Sequence, residues 1–167
     1  MISEQLSFLP DSLPDSHPFP PARERTVWNA LPQRVKDRFL KAGEAALAAA
    51  IAPLPLSLWL DFSHTGRRTA WEDAYFSRRA RLCALVCAEC VEHGGRFLDA
   101  IADTVWALCE ESAWQLPAHN SYIRDTPQLP LPDTTRPIVD LFAAETGALL
   151  ALTRYLLSDE LDTAAPG

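Results

Sequence analysis

Thr69-Ala-Trp-Glu-Asp-Ala-Tyr-Phe-Ser-Arg-Arg-Ala-Arg-Leu-Cys-Ala-Leu-Val-Cys-Ala-Glu-Cys-Val-Glu-His-Gly-Gly95 decides the fold class. Leu82, Leu85, Val86 and Val91 recur at helical spacing. Thr69 and Glu72 have the spacing of a capping box, in which each side chain satisfies a free amide at a helix start. Gly94 and Gly95 suit the left-handed turn after a helix, with His93 beside the last carbonyls. A second pattern follows over 96–112, with Phe97, Ile101, Val105 and Leu108 inward and Asp99, Asp103 and Glu110 outward. Two helices joined by so short a turn lie antiparallel, so the stretch predicts an αα-hairpin.

Upstream, residues 1–22 hold Pro10, Pro14, Pro18, Pro20 and Pro21 and predict an extended arm. A short helix over 23–31 precedes a longer one from Pro32 to about Ala52, where Val35, Phe39, Leu40, Ala46, Leu47 and Ile51 oppose a face of Arg34, Lys36, Asp37, Arg38 and Lys41. Pro53 and Pro55 end it, and Leu56–Phe62 is expected as an apolar connector closing in the turn-like Ser63-His64-Thr65-Gly66. Downstream, 113–134 reads as a loop longer than the common limit of about 12–15 residues, a length that often carries function. A last helix over 137–158 is apolar around most of its circumference from Ala148 to Leu157 and is expected to need neighbours on several sides. No stretch alternates as a strand does. The fold class is therefore all-α: antiparallel helical hairpins over 23–162, with a flexible tail at 163–167.

Of the 167 residues, 48% are hydrophobic and 22% charged, enough for a packed core. A net charge of -7 argues against a nucleic-acid partner. The apolar stretches are too short or too amphipathic for a bilayer core of about 30 Å, which argues against a membrane partner. The first residues lack the pattern of a signal peptide, so the cytoplasm is the expected location.

Cys83, Cys87 and Cys90 share the spacing of an iron–sulfur motif, but within a helical pattern they read as unpaired core thiols. His17, His64, His93 and His119 show no ligand spacing, so no metal is expected, nor any cofactor. Arg67, Arg68, Arg78, Arg79 and Arg81 form the main basic cluster, readable as an anion-binding group or as a solvated helix face paired with Glu72 and Asp73. Glu145, among small apolar residues, calls for a partner or a shifted pKa. At the loop mouth, Trp114, His119 and Asn120 follow Glu110 and Glu111. An indole stacks on a pyranose face while polar groups take its hydroxyls, so these residues can make a sugar-binding surface; they can equally be a loop anchor with Trp114 as a core plug.

Three blocks carry a family resemblance: Trp71 to Arg79, Gly95 through Trp106, Glu111 and Trp114 to His119, and Asp140 to Thr146. In order and spacing they resemble the N-terminal part of heparinase II/III-like proteins. The resemblance implies an incomplete (α/α) toroid, continued in full-length relatives by further hairpins and a β-sheet domain. It also implies polysaccharide lyase chemistry, in which a uronate carboxylate is neutralised, the C5 proton is removed and the leaving oxygen is protonated. The resemblance implies that the catalytic groups lie further along the family's chain than this sequence reaches, so no catalytic residue is assigned. Trp114, His119, Asn120 and Glu111 are the residues expected at a cleft for an acidic poly- or oligosaccharide. The acidic balance departs from what a sulfated substrate would require, which makes weakly charged or unsulfated uronates the expected class.

Overall fold

Proline and glycine divide the chain into helices that fold back on one another. The computed structural model describes residues 19–123 and 126–164, and among these all regular structure is helical. The elements are α1 (Arg25–Ala30), α2 (Gln33–Ala48), α3 (Leu56–Thr65), α4 (Thr69–Glu92), α5 (Leu98–Cys109), a 3-10 turn at Pro117–His119, α6 (Leu141–Leu156) and α7 (Ser158–Ala164). Residues 1–18 of the expected arm and 165–167 of the expected tail lie outside the described residues, but α7 carries helix into the segment expected to be tail.

α4 is the axis of the fold, with α2 and α5 both running antiparallel to it. Arg81 donates to Thr104 on α5, while Arg79, two residues back, reaches Glu111 beyond that helix. On the other side Gly43 faces Ala88, and Arg81 meets the carbonyls of Ala46 and Ala49. The principal core gathers Leu82, Leu85, Val86, Phe97, Ile101, Leu108, Leu156 and Leu157; a smaller one near the start of α4 holds Trp59, Trp71, Tyr75 and Leu116.

Several sequence expectations change. The 56–62 connector is helix α3, entered after Pro55 and closed by Gly66 at φ 77°. Apolar residues on most of its sides hid the helical period, yet Trp59 alone is fully buried. α2 stops at Ala48, short of the expected Ala52, because Arg81 caps its final carbonyls and Ala49 turns extended. The capping box does not form: Arg68 occupies the N-cap, and Glu72 pairs with its guanidinium at 3.2 Å. In the turn, His93 and Gly95 take positive φ, and Gly94 does not. His93 Nε2 lies 2.6 Å from Glu160 on α7.

α6 begins at Asp140, whose carboxylate accepts the Ala143 amide at 2.7 Å, a regular N-cap. Its far end is covered by the chain's own N-terminal segment. The buried Ala22 donates to Leu156 O at 2.8 Å, the Tyr155 hydroxyl donates to Phe19 O, and Arg23 pairs with Asp159. Ala144, Glu145, Ala148 and Ala151 face solvent, so the Glu145 carboxylate is not enclosed by the small apolar residues that flank it in sequence.

Candidate functional site

The basic cluster on α4 separates by helical phase. Arg67 and Arg68 stay at the surface, Arg81 caps α2, and Arg78 and Arg79 turn inward onto Glu111. Arg79 Nη1 and Nη2 donate to the two Glu111 oxygens at 2.9 and 2.6 Å, the forked geometry that makes arginine–carboxylate pairs strong. Arg78 Nη1 adds a bond to the same carboxylate at 3.1 Å, and its Nε donates to Ala52 O at 2.6 Å. The Glu111 side chain is only 5% exposed. It is the counter-ion of two buried cations, not a group free for ligand.

Tyr75 extends this junction to α6. Its hydroxyl donates to Trp114 O at 2.8 Å and lies 3.0 Å from Thr146 Oγ1, which also accepts from Arg79 Nε. Burial raises the Tyr75 pKa. Trp114 donates its indole N–H to Leu108 O, tying the loop to the end of α5.

His119 and Asn120 follow the loop-anchor reading. His119 Nδ1 donates to Asp140 Oδ2 at 2.6 Å, and its ring stacks on Phe142 at 5.7 Å between centroids. The same Asp140 accepts the Leu116 amide. Asn120 is 0% exposed: its oxygen accepts from Gln115, and its amide nitrogen donates to Leu129 O and Leu131 O. A side chain with its polar atoms engaged and no surface has nothing to offer a sugar hydroxyl. Trp114 lines a concavity of about 410 Å³ together with Glu111, Pro132, Ile138 and Val139, and neither His119 nor Asn120 shares it. Of the four residues expected at one cleft, Glu111 and Trp114 share a concavity, while His119 and Asn120 fasten the loop after α5 elsewhere.

A neighbouring cleft of about 350 Å³ is lined by the buried Trp59 and Trp71 and by Arg78, Glu110, Glu111 and Ser112. The two indoles meet edge to face at 5.1 Å, and Trp59 donates to Pro130 O, which fixes the long loop at the cleft's margin. The Trp71 indole N–H is buried without an acceptor. Such a group costs about 1–3 kcal/mol of desolvation that the fold does not recover. The sequence named Trp71 only as a motif residue and gave Trp59 to a connector, so their meeting was invisible until α3 was seen to be a helix packed against the start of α4.

The cysteines do not form one buried set. Cys90 is buried and Cys87 half-buried, while Cys83 and Cys109 are exposed. A hydrogen bond from Cys87 lowers the Cys83 thiol to about 6; burial pushes Cys90 up to about 12. Among the described residues no three His, Cys, Asp or Glu side chains gather as a metal would need, and no helix is long and apolar enough to cross a membrane. In comparisons with known proteins, no family model matches the chain and no curated protein is similar to it.

Proposed function

We propose that this chain is a helical segment of a heparinase II/III-like toroid that contributes to holding a uronate-containing polysaccharide and does not itself carry out β-elimination. One observation carries the reading. The three sequence blocks of the resemblance lie far apart in the chain, yet Arg79 to Glu111, Tyr75 to Trp114 and Thr146, and His119 to Asp140 knit them into a single buried junction. Blocks that share only composition would have no reason to interlock.

The junction's tyrosine is given no part in proton transfer in this reading. Tyr75 is buried with a raised pKa and is not placed as a free base at an open cleft. The reading predicts that the purified chain releases no unsaturated uronate from heparin, unsulfated heparan or alginate. It also predicts retardation in a native gel cast with unsulfated heparan. Release of unsaturated product contradicts it.

A second reading, a non-catalytic helical protein-interaction module, is favoured by one specific observation: Glu111 and Asn120, both expected at the cleft, are engaged in internal bonds. Migration unchanged by every polysaccharide would favour that alternative.

A further inference from the structure

We propose that Cys83 and Cys87 form a two-thiolate site for a soft monovalent cation of the copper(I) class, set between α4 and α6. The two lie four residues apart on the 24-residue helix α4, so their side chains leave the same face with Cβ atoms about 5–6 Å apart. Their thiols are already within hydrogen-bonding reach, Cys87 donating to Cys83. A metal–thiolate bond is about 2.3 Å long, so one ion bridges two sulfurs held about 4.6 Å apart, a separation that neighbouring side chains on one helix face reach. The pair opens the stripe of Cys83, Cys87 and Cys90, which the saccharide reading leaves without a role.

The number of ligands selects the ion. Zinc in a structural site takes four, and among the described residues no three His, Cys, Asp or Glu side chains gather. Copper(I) is soft, prefers thiolate and is satisfied by two sulfurs in line. Access and shielding both come from the side of α6. Cys83 is exposed and opens on a concavity of about 380 Å³ lined by Phe76, Phe142 and Leu149, apolar groups that limit water around a bound ion. Tyr75 reaches Phe142 O, Arg79 reaches Thr146 and Cys83 shares a concavity with Leu149, so α4 and α6 run in parallel. Thr153, seven residues beyond Thr146 and on the same face of α6, therefore comes level with Cys87. Its hydroxyl is buried and has no partner. A donor in that position suits a sulfur that has given up its own proton, the outer-shell support that metal-bound groups usually have. Each thiol that binds releases its proton to solvent, and no electron is transferred.

The whole reduced chain is tested without oxygen against copper(I) held as its coloured bicinchoninate complex, and loss of that colour is followed. The wild type is expected to withdraw a single equivalent of copper(I) and to keep it when an equal amount of zinc(II) is added. Cys83→Ser and Cys87→Ser should each weaken copper(I) binding by about 100-fold or more, since loss of a ligand exceeds the roughly 10–100-fold typical of outer-shell changes. Cys109→Ser alters an exposed thiol at the end of α5, on a different concavity, and should bind as the wild type does. Circular dichroism checks that each variant remains helical; should Cys87→Ser unfold, Cys87→Ala replaces it, and Cys83→Ser, an exposed change, decides in either case. Colour retained in the presence of the wild type overturns the site. So does copper(I) withdrawn undiminished by folded Cys83→Ser, displacement of the bound copper by zinc(II), or a loss at Cys109→Ser equal to that at Cys83→Ser.

Discussion

Glu111 faces two guanidinium groups across 2.6 to 3.1 Å, with all three side chains at most 12% exposed. Removing the acid leaves two cations in a site that water hardly reaches, and breaking a buried pair in this way costs about 3–5 kcal/mol. Glu111→Ala should therefore lower the unfolding free energy in urea by about 3 kcal/mol or more, and Glu111→Gln by less, because the amide oxygen still accepts one bond. A loss below about 1 kcal/mol for the alanine variant, the size of a surface pair, would remove Glu111 from its central place. Cys83 is a second residue whose surroundings set its chemistry. Lowered to about 6 from the ordinary 9.0, it is a thiolate at neutral pH. Iodoacetamide at pH 7 should alkylate Cys83 ahead of Cys90, with the Cys83 rate falling as pH drops through about 6. The depressed pKa also means that ionised Cys83 favours the folded state, fully above pH 9.0 and progressively less down to about 6. Peptide mapping that finds Cys90 modified first would contradict the assignment.

At the scale of elements, the closest approach is between α2 and α4. A Cβ at Gly43 would sit 2.3 Å from the Cβ of Ala88 and 3.3 Å from the Phe97 ring, so the two helices meet backbone to side chain with no room between. Gly43→Ala would ordinarily favour a helix interior, but here it must push α2 away, at about 1–3 kcal/mol by the usual cost of overpacking. Thermal unfolding should show a lower midpoint for Gly43→Ala; a raised midpoint would mean that α2 docks more loosely than described. The helices of the α4–α5 hairpin were legible because the apolar positions of each recur at helical spacing and Gly94-Gly95 separates them. α3 was not, since Leu56, Leu58, Trp59, Leu60 and Phe62 give apolar side chains in most directions, and only docking decides which is inside. The capping box failed for a related reason: Thr69 and Glu72 have the right spacing, but Arg68 competes for the carboxylate with a full charge.

For the whole molecule, the segment from Phe19 to Arg23 and the end of α6 meet at the tip of α4. Phe19, Ala22 and Arg23 bind the end of α6 and the start of α7, while Arg25 donates to Cys90 O and Val91 O at the end of α4. The apolar last helix therefore takes part of its cover from the N-terminal segment, a contact between distant residues that no local pattern encodes. The same distance problem explains the candidate site. Sequence proximity grouped Trp114, His119 and Asn120, whereas the fold turns each into a separate fastening and brings Trp59, Trp71, Glu110 and Ser112 to one cleft. The central claim is that the three sequence blocks meet in one buried junction. Thr146 and Glu111 lie in different blocks and both bind Arg79 of a third, so a double-mutant cycle of Thr146→Val and Glu111→Gln in urea tests it most directly. The account predicts a coupling of about 0.5 kcal/mol or more; additive losses would contradict it.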